Sequence, residues 1–247
     1  MYYQRQSGFS SIPTVVKNLL IINVLFFAAT YLLEHRGINL TNYLGLHYFK
    51  SDLFQPYQIV THMFMHGGLM HIAFNMYALW MFGKIIEQVW GPKKFLIYYM
   101  ITGLGAAFLH LLVMHFQIVH ELNTISADKV TMVLSEGAKI ITSNRNFTDL
   151  EMGNLNMLYN GATVGASGAV FGLLLAFGTL FPNVELYLMF IPMPIKAKYF
   201  VIGYGAIELF SGVANRAGDN TAHFAHLGGM LFGFILIKMW KKKGELY

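Results

Sequence analysis

Six apolar stretches, at 13–33, 69–89, 95–116, 162–181, 199–213 and 222–240, constrain the fold of this chain more than any other feature. A helix needs ~20 such residues to cross the hydrocarbon core of a bilayer, where each backbone N–H and C=O must be paired within its own segment. The run at 199–213 is short for this; the others approach or reach the length. A soluble core does not account for them, since charged residues make up only 12% of the 247, against about 25% in an ordinary soluble domain. The expected fold class is therefore an all-α polytopic membrane protein, a six-transmembrane-helix bundle forming one membrane domain over 13–240.

The breaks between the stretches set the rest of the plan. Residues 34–65 are too aromatic for disorder and too interrupted to span, so they are expected to form an interfacial loop with short helices packed on the bundle. Gly91-Pro92, followed by Lys93-Lys94, ends the second span, and Pro182 ends the fourth. Residues 117–161 are polar and charged and predict a solvent-exposed insertion with one short amphipathic helix near 128–141. A Pro-containing surface segment, 184–198, precedes the fifth span. Residues 1–12 form a polar segment without the pattern of a cleavable signal peptide, and 241–247 a tail opening with Lys241, Lys242 and Lys243. The Lys/Arg bias of the short loops places both ends on the cytoplasmic side. The absence of cysteine excludes disulfides and thiolate metal sites. The net charge of +5 suits loops facing an anionic leaflet, and no basic–aromatic pattern points to nucleic acid.

Three polar groups fall at matching depth, near the outer ends of spans two, four and six. Ser167 lies in TVGASGAVFG, between Gly165 and Gly168. Glycines there either let helices pack closely or clear space around a nucleophile. His226 lies in AHFAHLGGMLFG, where Gly229 and Gly233 have the spacing that lets helices touch. A Ser–His pair needs a nitrogen about 2.6–3.2 Å from the hydroxyl, which only a crossing lined by small residues allows. The alternative is a histidine that hydrogen-bonds a neighbouring helix and holds the bundle. His71 and Asn75, at i and i+4 on one face of span two, could donate to an oxyanion or join helices.

Together these residues resemble the rhomboid intramembrane serine proteases. The resemblance rests on GASG at 165–168, His71-x-x-x-Asn75, and AHLGGMLFG at 225–233, and Glu87 in GKIIEQVWG also matches. It covers about 15–240 and implies a Ser–His dyad without an aspartate. Ser167 would be the nucleophile and His226 the base, rather than His223, because His226 is followed at the family's spacing by Gly229 and Gly233. His71 and Asn75, with Gly165 nearby, would help stabilise the oxyanion, and Phe171 would pack on the imidazole where many members have Tyr. Gly168 would support the crossing, and His66 the turn or hydrogen bonding at the site. Tyr57-Gln58 stands where the family often carries Trp-Arg, which puts the structure of that loop in doubt.

The resemblance implies peptide-bond hydrolysis in transmembrane protein substrates, within a lipid bilayer, and with no cofactor or metal. It suggests a bacterial inner membrane, with the active site opening to the outer side and spans two and five as candidate substrate gates. Two other classes stay open: a client-binding relative without activity, and a metal or haem bundle using His71, His110 and His223 or His226. A soluble hydrolase elbow would need glycine at Ala169 and a preceding strand. His110 and His115 have no evident partner in the sequence, and His35, His47 and His120 read as solvent or interface residues. Oligomeric state and the identity of the substrate are not legible.

Overall fold

The computed structural model describes residues 12–187, 193–214 and 222–246. Helix α1 (Thr14–Glu34) opens the bundle, and its first turn is closed by another helix. Glu87 is buried, and its two carboxylate oxygens accept from Val15 N at 3.0 Å and Val16 N at 2.8 Å. The carboxylate thus satisfies N–H groups that have no partner within α1 and sits at the positive end of that helix. The connection to span two carries short helices α2 (Leu40–Leu44) and α3 (Gln58–Thr61) and a 3₁₀ turn, His62–Phe64. Gln58 organises this loop: fully buried, it accepts from Gln55 N and donates to Tyr43 O and Leu53 O.

The second apolar stretch is covered by α4 (Leu69–Ala78), a π turn over Leu79–Gly83, and the first residues of α5 (Lys84–Thr124). Gly91, at φ 77°, turns the chain, and Pro92 restarts the helix where a missing N–H costs nothing. From Pro92 onward α5 is about 50 Å long at 1.5 Å per residue, so the helix over the third apolar stretch does not stop at 116. It runs on to Thr124, into the segment expected to be a polar insertion. That insertion is itself helical, with α6 (Ala127–Thr142) and α7 (Leu150–Asn160) where one helix was expected. Tyr48, Met114, Ile118, Val133, Met152 and Leu155 form a second small core beneath it. Apolar positions too sparse to span a membrane are enough to pack one face of a hairpin on an extended helix.

Helix α8 (Ser167–Leu180) starts later than the apolar run does, because Thr163 pairs with Leu46 in an isolated bridge and Gly165 takes φ 137°. After it come two short antiparallel strands, β1 (Glu185–Leu186) and β2 (Ile195–Lys196), in the segment read as surface. Helices α9 (Ala197–Ala214) and α10 (His223–Lys242) complete the described chain. Arg5 and Arg216, two of the basic residues that enter the Lys/Arg bias of the loops, lie outside the described residues. Among the described residues, three helical stretches are long and apolar enough to cross a membrane: Thr14–Glu34, Leu69–Thr124 with its break at Gly91, and His223–Lys242. Large apolar side chains such as Leu32, Phe74, Phe108, Phe210 and Val213 are 60–71% exposed, a density that water-soluble surfaces do not carry but lipid accommodates.

Candidate functional site

The site is built where the segment 162–166 leads into α8. Leu46 and Thr163 exchange backbone hydrogen bonds at 2.9 and 2.8 Å, and Gly165 N donates to His62 O at 3.0 Å. Gly165 takes φ 137°, where L side chains are strained, and a Cβ there would lie 2.9 Å from His71 Nε2. Ser167 follows as the first residue of α8, so its backbone N–H and those of Gly168 and Ala169 have no carbonyl within the helix to bond. These donors, at the positive end of a helix, suit a developing negative charge.

Helix α10 crosses α8 at backbone contact. A Cβ on Gly229 would run into the Gly168 carbonyl oxygen, and one on Gly228 would meet Gly105 O at 3.0 Å. At this crossing Ser167 Oγ and His226 Nε2 lie 2.8 Å apart. Phe171, one turn along α8, stacks on the imidazole at 4.1 Å and 3°. The buried ring is thereby held by an aromatic face on one side and addressed through its nitrogens at the edge.

The remaining expected residues are placed less uniformly. His71 Nδ1 accepts from Gly67 N at 3.4 Å, a long contact that leaves Nε2 to carry the hydrogen, on the side facing Gly165. Asn75 lines the same cavity, but its Nδ2 donates to His71 O at 2.9 Å within α4. His66 is buried with its ring edge-on to His71, and neither ring nitrogen has a hydrogen-bond partner. It therefore does not play the hydrogen-bonding part expected of it.

Several histidines have partners that the sequence did not reveal. His110 Nε2 is 2.8 Å from Thr163 Oγ1, and Tyr48 Oη is 2.6 Å from His115 Nδ1. His47 is buried, not at a surface, with Nδ1 2.9 Å from Asn160 O.

A carboxylate also enters the site, on α9. Glu208 Oε2 lies 2.6 Å from His223 Nδ1 and 2.9 Å from His226 Nδ1. The signal for it was present: an acidic residue inside an apolar span is rarely without function. Among the described residues, Glu208, His223 and His226 are the one cluster with ligand atoms close enough to suggest a metal. It is a different set from the histidines weighed on sequence. Ligands on a tetrahedral zinc at about 2.0–2.1 Å are roughly 3.3 Å apart. The 2.6 Å separation from His223 is instead that of a hydrogen bond, and the 2.9 Å from His226 is a close contact shorter than two ligands on one ion would show.

A cavity of about 1050 Å³ opens onto Ser167, His226 and His71, and its walls come from α4 (Phe74, Asn75) and α9 (Phe200, Tyr204). Behind the serine, a pocket of about 20 Å³ is lined by His62, His110 and Thr163. It has room and polar partners for one water.

The loop beside the site carries a pH liability. Burial pushes His62 down to about 4, and His66 also to about 4 with His71 adding to the effect. Both are neutral in the fold but take up protons near 6.5 once unfolded. The unfolded chain thus binds more protons between these values, and stability falls as pH drops from 6.5 toward 4. For His62 alone the loss is on the order of 3 kcal/mol at full titration. Thermal unfolding in detergent at constant ionic strength is expected to show a falling Tm over that window. His62→Gln, which keeps a donor for Gln58 O, is expected to flatten the fall; an equal slope in both proteins would refute the assignment.

A model of the Rhomboid domain family matches residues 53–243. Among curated proteins, the chain is 28% identical over 240 residues to RHOMBOID-like protein 12, mitochondrial, of Arabidopsis thaliana, covering 92% of this chain and 62% of that one. It is 26% identical over 193 residues to the presenilin-associated rhomboid-like protein, mitochondrial, of Bos taurus, covering 74% and 39%. Against Rhomboid-like protein 11, chloroplastic, of Arabidopsis thaliana, identity is 25% over 236 residues, covering 91% and 64%. The chain spans less than two thirds of the length of these relatives. Their names place them in organelles, which does not fit the bacterial inner membrane expected from the sequence. The match over 53–243 takes in Ser167, His226, His71, Asn75 and Glu208, and this chain belongs to the rhomboid family.

Proposed function

We propose that this chain is an intramembrane serine endopeptidase that hydrolyses peptide bonds in or near the transmembrane segments of membrane proteins. The observation that carries the reading is the 2.8 Å approach of Ser167 Oγ to His226 Nε2 at the N-terminus of α8, inside a cavity between apolar helices. In the proposed reaction Ser167 Oγ attacks the scissile carbonyl as its proton passes to His226 Nε2. The oxyanion forms beside the Ser167 N–H and the Nε2 edge of His71, with Asn75 reaching it after a side-chain rotation. His226 then hands the proton to the leaving amine, and water hydrolyses the acyl-enzyme with the same histidine as base. No step calls for a metal or cofactor.

The membrane arrangement belongs to the same proposal. Six spans are formed by α1, α4 with the start of α5, the rest of α5 from Pro92, α8, α9 and α10. Residues 1–12 and 241–247 then lie together on the cytoplasmic side, and 117–161 on the opposite face beside the site mouth. Helix α8 is only about 21 Å long, so Ser167 sits below the surface of a ~30 Å hydrocarbon layer. Water would reach it through the cavity, and a substrate helix between α4 and α9. Segments with weak helix propensity would be cut, since the substrate backbone must unwind to be attacked.

Covalent labelling tests the reading without a known substrate. A fluorophosphonate probe is expected to modify Ser167 in the full chain in detergent, with mass spectrometry locating the adduct. No adduct, or one on another serine, would refute it.

A further inference from the structure

We propose that Glu208 is a positioning residue for His226, so that this chain works its serine and histidine as a Ser167–His226–Glu208 set and not as a pair. The inference rests on the proteolytic reading above. A carboxylate in the apolar span α9 is costly unless paired, and Glu208 is 6% exposed. It lies on the face of α9 that also carries Tyr204 and Gly212, and a Cβ on Gly212 would stand 3.2 Å from the His223 Cβ. That close approach brings Glu208 against the start of α10, where its Oε2 meets Nδ1 of both His223 and His226.

The two nitrogens of His226 are then addressed from opposite sides, Nε2 by Ser167 and Nδ1 by Glu208. A neutral imidazole carries one proton, and an adjacent carboxylate draws it to Nδ1. This leaves the Nε2 lone pair facing the serine hydroxyl, the tautomer a general base requires. When Ser167 attacks, the O–H proton moves to Nε2, the new C–O bond forms, and the imidazole becomes a cation. The proton leaves again to the amine as the C–N bond breaks. Glu208 remains ionised throughout and lowers the energy of the cation, an effect that is larger in a site screened from water. The 2.9 Å contact is not in line with the N–H, as is common before substrate tightens a site.

Helix anchoring through His223 is the competing role for this carboxylate, so the test must separate the two. Among the described residues, the groups that face the imidazole and the carboxylate are Ser167 from α8, His71 from α4, His110 from α5, His223 from α10 and Tyr204 from α9. None of these described groups supplies a second negative charge near neutral pH. The full chain in liposomes, cutting a single-span test substrate, is compared with Glu208→Gln and Glu208→Asp. Glu208→Gln is expected to lower kcat by about 10²-fold or more, with KM within about twofold, and to move the acid limb of the kcat profile to lower pH. Glu208→Asp, which keeps the charge, is expected to recover part of kcat and to keep the wild-type limb; it also serves as the test if Glu208→Gln does not fold. A Glu208→Gln protein with wild-type kcat and limb overturns the proposal while Ser167-dependent cleavage persists. So does a change in KM or Tm alone, which is the mark of helix anchoring. Cleavage that does not depend on Ser167 would sink the proteolytic reading, and this inference with it.

Discussion

Cleavage of a single-span substrate by Ser167→Ala, and separately by His226→Ala, is expected to fall by about 10³-fold or more, with the double variant no worse than either single one. The reasoning is that the two groups perform one act. A serine without its base is a poor nucleophile, and a base without the serine has no proton to take, so removing the second member removes nothing further. The residual rate would come from the N–H groups at the start of α8 and from binding. Stability offers a control. Ser167→Ala deletes one hydrogen bond, worth about 1 kcal/mol, so its Tm is expected to shift by only a few degrees. Initial rates in liposomes, set against thermal unfolding of the same preparations, make the comparison. If the losses in the single variants multiply in the double one, the two residues act independently and the pairing is wrong.

How far the site could be read from sequence depended on what each residue must do to its neighbours. Ser167 and His226 were legible as a candidate pair, because glycine spacing on two apolar runs announces a close crossing and leaves few polar groups to meet there; the place of Phe171 came from the resemblance to the rhomboids. The structure brings those three within contact. Glu208 was not read, although it stands in an apolar run, because its meaning depends on which face of α9 turns toward α10. One carboxylate gives no period from which to tell. His66 shows the opposite failure: its place beside Gly67-Gly68 suggested a hydrogen-bonding part, but packing turned the ring against His71 and left its nitrogens without partners. In the fold, apolar length located the helical stretches well. It could not tell that α5 continues past 116, since residues that leave the lipid stop being apolar without ceasing to be helical. The amphipathic pattern near 128–141 announced α6, but polarity hid α7, whose buried face needs only Met152 and Leu155 among large apolar residues. The start of α8 was misjudged for a backbone reason: the pairing of Thr163 with Leu46 and the φ of 137° at Gly165 keep the chain out of the helix there, although the residues are apolar enough to be helical.

That late helix start makes the geometry at Gly229 the most exposed point of the design. The crossing of α8 and α10 is set by a glycine Cα against the Gly168 carbonyl, and both partners are backbone, so neither can swing aside as a long side chain would. Gly229→Ala is expected to part the two helices by more than about 1 Å, which carries Ser167 Oγ and His226 Nε2 beyond the 2.6–3.2 Å reach of a useful hydrogen bond. A misplacement of that size costs on the order of 10²-fold in rate, and overpacking costs about 1–3 kcal/mol in stability. Gly229→Val is expected to abolish cleavage. Gly203→Ala, on α9 with open space around its Cα, is the matched control and is expected to change neither rate nor Tm. Initial rates and unfolding midpoints for the three variants decide the matter. Wild-type cleavage by Gly229→Ala would mean that the helices do not need to touch, and that the glycines beside His226 hold no part of the distance on which the proposed chemistry depends. Loss of rate without loss of the folded state would place the effect in the Ser–His separation itself. The same small-residue seam would then be serving packing and reactivity at once, which is why neither reading of the glycines around Ser167 had to exclude the other.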